Sequence, residues 1–266
     1  MAALDLTMED VEDDIFTEKS FNLLHDFLQP TTTLTLESTA DSILEVLSSC
    51  DPEGLEVWDF GETCIMLAEQ IPYHHPSQLK LVRLLEYLGK PNSLEHGVFR
   101  YQRLGESLRE SLDSVDREKG IAYANFHAFA ANLREHRIFR TDPTWAIWAQ
   151  REAHEGVSTR PNGSRDVVLL AAAQWILLYG QTLFKQIVFT GDISPREVQF
   201  WKPGPLYDGQ ADLSLQRWYF WRDGFKSAAS GEKEQNKGLG QECKSVAAKA
   251  ADMMDSLERN MTFQKT

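Results

Sequence analysis

Polar side chains recur at helical spacing inside two apolar stretches of the sequence. Asn125 and Asn132 are seven residues apart, and so are Gln174 and Gln181. Residues at this spacing share one face of a helix, and a buried amide must find a hydrogen-bond partner. Two interpretations stay open. The amides bond to one another across a helix interface, or they line a cavity and bind the carbonyl or hydroxyl group of a ligand.

His127 lies in the first of these stretches, GIAYANFHAFAANLREHRIF. An imidazole can hydrogen-bond to a carbonyl group or exchange a proton with a ligand. We therefore take Asn125, His127, Gln174 and Gln181 as candidate catalytic residues. A core histidine with satisfied hydrogen bonds is the structural alternative for His127.

Aromatic residues are concentrated in FWKPGPLYDGQADLSLQRWYFWRDGF, residues 200–225. Trp201 falls in the KPGP stretch, outside any predicted helix, where a loop aromatic held by prolines is typical of a pocket lid or gate. Packing in the core is the alternative, because each indole buries a large apolar area. The candidate substrate-binding residues are Phe129, Asn132, Trp148, Trp175, Tyr179, Trp201, Trp218 and Trp221.

Sequence motifs for cofactors and metal ions are missing. The chain has no GxSxG, HExxH or Walker motif. Asp13, Asp14 and Glu18 come closest to the aspartate-rich magnesium motif of terpene cyclases, but Glu18 lies one residue too far along. We therefore expect neither a cofactor nor a metal ion.

The hydrophobic periodicity predicts an all-α fold, a single irregular helical bundle domain of about nine helices. We expect a disordered acidic arm over residues 1–12, a helical domain over 13–228, a linker or loop over 229–242, and an amphipathic helix over 243–266 that packs on the domain. Two subdomains divided near residue 90 are the alternative. Residues 167–184 carry no charge, and we interpret them as a buried helix rather than a membrane span.

The chain is strongly acidic, with a formal net charge of -13. Such a surface repels nucleic acid and anionic lipid, so neither is an expected partner. The three cysteines form no CxxC pair, and the first fifteen residues hold six acids and no Lys or Arg. These features predict a cytoplasmic protein. The sequence does not indicate an oligomeric state.

Three segments resemble a family of fungal proteins defined only as a domain of unknown function: YANFHAFAANL, AAAQWILLYGQTLF and WKPGPLYDGQADLSLQRWYFW. The likeness spans roughly residues 100–228 and is most specific in WxPGPLYxG…LSLxRWxFW. It implies a helical, intracellular, fungal protein and supplies no reaction. His127 and Asn132 stand where the family pattern has Asn and Arg, so if that Arg has a role in relatives, this protein has lost or changed it.

The sequence is compatible with a cofactor-independent cyclase or isomerase, of the pericyclase or Diels–Alderase type, acting on an apolar small molecule in fungal secondary metabolism. An aromatic pocket lowers such a barrier by restricting a flexible substrate, and an amide or imidazole hydrogen bond can strengthen in the transition state. A non-enzymatic regulatory or scaffold protein is the alternative, and a carrier of a hydrophobic metabolite is a third interpretation.

Overall fold

The computed structural model describes residues 2–8, 15–48, 55–89, 106–107, 110, 120–138, 143–157, 162–189 and 193–261. These residues form ten α-helices and no β-strand, so the predicted all-α fold is confirmed. The helices are α1 (Ile15–Leu28), α2 (Leu36–Ser48), α3 (Leu55–Gln70), α4 (Ser77–Leu88), α5 (Ile121–Glu135), α6 (Thr144–Gln150), α7 (Asn162–Val188), α8 (Pro195–Phe200), α9 (Leu215–Ser230) and α10 (Gln241–Met261). A π-helical turn, Arg151–Glu155, continues α6, and a short 3₁₀ turn covers Glu234–Asn236.

The chain divides into two compact units. The first comprises Met1–Asp116 with Asn132–Arg140, and the second comprises Arg117–Ala131 with Thr141–Thr266. The alternative that placed a division near residue 90 therefore put it too early, and helix α5 contributes residues to both units.

The first unit is built from α1–α4 around an aliphatic core that includes Leu24, Leu67 and Leu81, all fully buried. The expected disordered arm differs from what residues 2–8 show, because they form an extended segment held on this unit. The Gln29 side chain bonds the backbone N–H and C=O of Leu4, and the Gln70 side chain does the same for Thr7. Residues 9–12 lie outside the described residues.

Gln78 ties α4 to the end of α3 in this unit. Its amide nitrogen donates to the carbonyl oxygens of Ala68 at 2.9 Å and Ile71 at 2.8 Å, and the residue is 2% exposed. Carbonyl groups at the end of a helix have no partner within the helix. Gln78 therefore satisfies buried groups that no water molecule reaches easily.

The second unit is organised around α7, which packs against α6, α9 and α10. Arg165–Val188 is long and apolar enough to cross a membrane. An 18-residue window within it has a mean hydropathy of 1.7, but 78% of that window is buried in the folded chain. The segment predicted as a buried helix is thus the central helix of this unit. A helix enclosed by others is apolar nearly all round for this reason.

Local sequence features set the bounds and faces of the last helices. Ser194 and Glu197 form a capping box that begins α8. The N-cap of α9 is Ser214. The buried side of α10 passes through Met254, which is fully buried, whereas Met253 is 38% exposed.

The segment predicted as a linker or loop over 229–242 packs on the second unit. Helix α9 continues to Ser230 and ends at Gly231, whose φ of 66° is a left-handed conformation that favours glycine. Asn236 is 1% exposed and donates to Ser227 Oγ at 3.0 Å. Buried polar contacts therefore fix this loop against α9.

Replacing Gln78 with Leu is expected to lower the free energy of unfolding by about 1–3 kcal/mol, because two buried carbonyl oxygens lose their donor. Urea unfolding measures this loss. Arg83→Gln is the matched control, since Arg83 is exposed on the same helix, and it should change stability by less than about 0.5 kcal/mol. Equal effects of the two variants would contradict the role given to Gln78.

Candidate functional site

Most of the candidate residues predicted from the sequence lie in the interior of the second unit. Asn125, His127, Phe129, Gln174, Trp175, Tyr179, Trp201, Trp218 and Trp221 are buried there, and Trp148 is partly buried. Gln181 is exposed, so it does not share a buried environment with Gln174. Asn132 belongs to the first unit.

Two of these indole groups, those of Trp175 and Trp201, donate hydrogen bonds within the packed interior. Trp175 Nε1 donates to His127 Nδ1 at 2.9 Å, and Trp201 Nε1 donates to Thr144 Oγ1 at 2.9 Å. Trp201 is only 5% exposed, which differs from the expected lid or gate. Trp218 is fully buried beside Phe184, with ring centroids 5.0 Å apart. These contacts are those of core packing.

Two of the candidate polar residues, Gln174 and His127, have described hydrogen bonds. The Gln174 amide donates to Leu170 O in its own helix at 3.2 Å. His127 accepts the Trp175 indole proton through Nδ1, so a neutral His127 carries its proton on Nε2. The His127 ring lies 4.4 Å from that of Tyr123, centroid to centroid. The structure thus brings His127 and Trp175 together, while Gln181 is exposed.

A fully buried ion pair, Glu155–Arg217, holds the aromatic segment in place. Arg217 Nε donates to Glu155 Oε1 at 2.7 Å and Arg217 Nη2 donates to Glu155 Oε2 at 3.0 Å, and neither side chain is exposed. Trp221 Nε1 also donates to Glu155 Oε1, at 2.7 Å. We call this pair the Glu155 clamp. Its two-pronged geometry is the arrangement that best offsets the cost of burying both charges.

The Glu155 clamp fixes the KPGP loop. Arg217 Nη1 donates to Trp201 O at 2.8 Å and to Asp212 O at 2.9 Å. Gly204 N donates to Glu155 Oε2 at 2.8 Å, and a Cβ at Gly204 would lie 2.5 Å from Glu155 O. Only glycine allows that approach. The WxPGPLYxG…LSLxRWxFW segment, the most specific part of the resemblance, thus packs around the Glu155–Arg217 ion pair.

A cleft of about 740 Å³ opens beside α9, and we call it the α9 cleft. Its walls come from α9, the π-helical turn, the start of α7, Leu206 and the loop 233–235. The lining includes His154, Arg165, Leu206, Phe220, Asp223 and Ser227. None of the candidate residues predicted from the sequence lines it.

His154 is the polar group buried most deeply in the α9 cleft. It is 8% exposed, and its Nε2 atom has no hydrogen-bond partner among the described residues. Its ring meets Phe225 edge to face at 4.3 Å, and a Cβ at Gly224 would lie 2.4 Å from its Nδ1. Burial, with the neighbouring Arg165 charge, lowers the pKa of His154 to about 3. The imidazole is therefore neutral near pH 7.

Arg165 brings a positive charge to the same cleft. Its Nε donates to Asn236 Oδ1 at 3.1 Å, and Asn236 in turn donates to Ser227 Oγ. Burial lowers the pKa of Arg165, opposed by Cys243 and Asp166. Its two terminal nitrogens have no acceptor within the described part of the chain. One hydrogen bond thus orients the guanidinium, and its two terminal nitrogens, the fork of the side chain, remain available to bind a ligand.

These groups suit binding more than proton abstraction. A base whose pKa is about 3 removes protons poorly, whereas a neutral imidazole can donate or accept a hydrogen bond. Within the described residues, no group of three or more His, Cys, Asp or Glu side chains is placed to bind a metal ion.

Sequence reasoning missed this site, although one signal pointed to it. Gly224 interrupts α9 in RWYFWRDGFKSAA, and a glycine inside a helix costs about 1 kcal/mol relative to alanine unless packing requires it. The structural reason is the His154 ring pressed against the helix backbone. The sequence has no feature that links position 224 to position 154.

Comparison with known proteins gives a family and no activity. The model of a family described as "Protein of unknown function (DUF3632)" matches residues 62–225. The chain belongs to the DUF3632 family. No curated protein and no solved structure matches it. The match to DUF3632 contains the Glu155 clamp, His154 and Arg165, while Ser227 and the loop 233–235 lie beyond it.

Glu155→Gln is expected to destabilise the DUF3632 protein by about 3–5 kcal/mol, because Arg217 would keep a buried charge without its counter-ion. Thermal and urea unfolding measure the loss. Glu258→Gln is the control, since Glu258 also accepts from an arginine and a tyrosine but is 29% exposed, and we expect at most about 1 kcal/mol. Similar losses in both variants would contradict the importance of the clamp.

The pKa of His154 predicts a pH-dependent stability. The unfolded chain binds a proton at this residue below about pH 6.5, while the folded chain remains unprotonated there until about pH 3. The free energy of unfolding should therefore fall through that window by up to about 1.4 kcal/mol per pH unit. His154→Gln lacks this contribution, so urea unfolding at several pH values should show a shallower decline. Parallel declines in variant and wild type would show that His154 is not buried neutral.

Proposed function

We propose that the α9 cleft binds a small organic molecule. The observation that carries this proposal is the buried His154 side chain: the residue lines the cleft, is 8% exposed, and its Nε2 has no hydrogen-bond partner among the described residues. A buried polar group left without a partner costs about 1–3 kcal/mol. A ligand that bonds to this nitrogen would remove that cost.

The size and lining of the cleft support the same conclusion. A volume of about 740 Å³ lies within the range of about 300–1,000 Å³ for small-molecule sites. Leu206 and Phe220 offer apolar surface, while His154, Arg165 and Ser227 offer hydrogen-bonding groups. A few polar groups on an apolar wall fix the orientation of a ligand.

Cyclase or isomerase chemistry on an apolar molecule stays a prediction that is not needed for this proposal. The tryptophans assigned to the substrate wall fill the interior of the second unit, and Trp175, Trp218 and Trp221 are at most 2% exposed. A substrate of that kind would have to use the α9 cleft, with His154 Nε2 as its hydrogen-bonding group. Binding is therefore the property to test first.

Leu206→Trp is expected to abolish ligand binding, because the larger side chain fills the α9 cleft from its wall. A fragment library screened by saturation-transfer NMR against the full chain should give fragments that bind wild type and not this variant. Leu34→Trp is the matched control: Leu34 is 40% exposed and Leu206 is 47% exposed, but Leu34 lies in the first unit. It should keep the same fragments. The proposal fails if no fragment distinguishes the two variants.

A further inference from the structure

The charged residues that line the α9 cleft differ in whether they have an ion-pair partner. Asp223 bonds to Arg222, with Arg222 Nη2 at 3.0 Å, and Glu234 pairs with Lys237. Arg165 and Lys233 line the same cleft, and neither forms an ion pair with a described residue. Each acid that lines the cleft thus has a cationic partner, although Asp223 shares Arg222 with Asp255 and Glu258, whereas the two cations that line it have no such partner among the described residues.

The positive groups persist in a chain whose formal net charge is -13. With such an excess of acids, an arginine that is partly buried usually finds a carboxylate, because desolvating an unpaired charge is costly. Arg165 is bonded only through Nε, to the neutral amide of Asn236. Its free fork therefore has the geometry that binds two oxygen atoms of one anionic group.

His154 is suited to the same ligand group. Its imidazole is neutral, so one ring nitrogen carries a proton and can donate to an anionic oxygen, and Nε2 has no partner among the described residues. A neutral donor beside Arg165 adds a hydrogen bond without adding a second positive charge to a buried position. Phe220 and Leu206 supply apolar surface in the same cleft.

We propose that the ligand of the α9 cleft is an amphipathic anion, with a carboxylate or phosphate bound by Arg165 and His154 and an apolar or aromatic body against Phe220 and Leu206. This inference rests on the proposed function, since it specifies the ligand class of the same cleft. Lys233, on the loop 233–235, adds positive charge at the edge and attracts an anion over a longer range.

The test uses four probes with one ring system: 1-naphthylacetate, 1-naphthyl phosphate, the neutral 1-naphthylacetamide and the cationic 1-naphthylmethylammonium. Their fluorescence anisotropy is titrated with the full chain at low and high salt. We expect at least one anion to bind about tenfold or more tightly than the amide, because charge-assisted hydrogen bonds are the stronger ones. Which anion binds tighter distinguishes a carboxylate ligand from a phosphate ligand. Added salt should weaken the binding of the anions and leave the binding of the neutral amide unchanged.

Variants of Arg165 test whether this residue causes the preference for anions. Arg165→Gln is expected to remove the preference for the anion, while Arg196→Gln, at an exposed arginine of the same unit, should keep it. Arg165→Lys keeps the charge without the fork and should retain part of the preference. Thermal unfolding confirms that each variant is folded, and the salt dependence of wild type needs no variant.

The outcomes separate the two proposals. If the amide binds as tightly as both anions and Leu206→Trp abolishes all binding, the cleft is a ligand site but the anion assignment is overturned. If Leu206→Trp leaves binding of every probe unchanged, the cleft itself is not the site. An anion preference that persists in Arg165→Gln, or the failure of both anions to bind at millimolar concentration, also overturns the anion assignment.

Discussion

The buried pair of Glu155 and Arg217 is the interaction on which the second unit depends. Each charge has left water, so the pair stabilises the fold only as long as every remaining hydrogen-bonding position is satisfied. The chain meets this condition with the Trp221 indole, the Gly204 amide and the carbonyl oxygens of Trp201 and Asp212. The Glu155 clamp thereby holds together the KPGP loop, the start of α9 and the π-helical turn.

The Glu155 clamp also explains why the His154 imidazole lies at the α9 cleft. His154 and Glu155 are neighbours at the end of the π-helical turn, yet one lines the cleft and the other is enclosed by the clamp. π-helical turns are rare and occur often at functional sites. Because Glu155 is held by three separate groups, the preceding residue has little freedom, and the His154 ring packs against Gly224 and Phe225. The binding group is positioned by a structural charge one residue away.

The sequence predicted what depends on local periodicity. The all-α fold and the burial of α7 follow from hydrophobic spacing, although the sequence predicted about nine helices and the described residues form ten. What it could not predict depends on pairs distant along the chain. Glu155 and Arg217 are 62 residues apart, and nothing in either neighbourhood marks them as partners. The predicted aromatic wall failed to meet the cleft for a related reason: helical spacing shows that Trp218 and Trp221 share a side, but not whether that side faces a void or another ring.

The absence of a side chain at Gly224 has a consequence for how this protein can diverge. The imidazole occupies the volume that any other residue at position 224 would fill. Positions 154 and 224 can therefore change only together. A relative with a bulkier residue at position 224 must have lost the imidazole at position 154. Such a relative would keep the fold and the Glu155 clamp but lose the buried imidazole of the α9 cleft, so it would bind a different class of ligand.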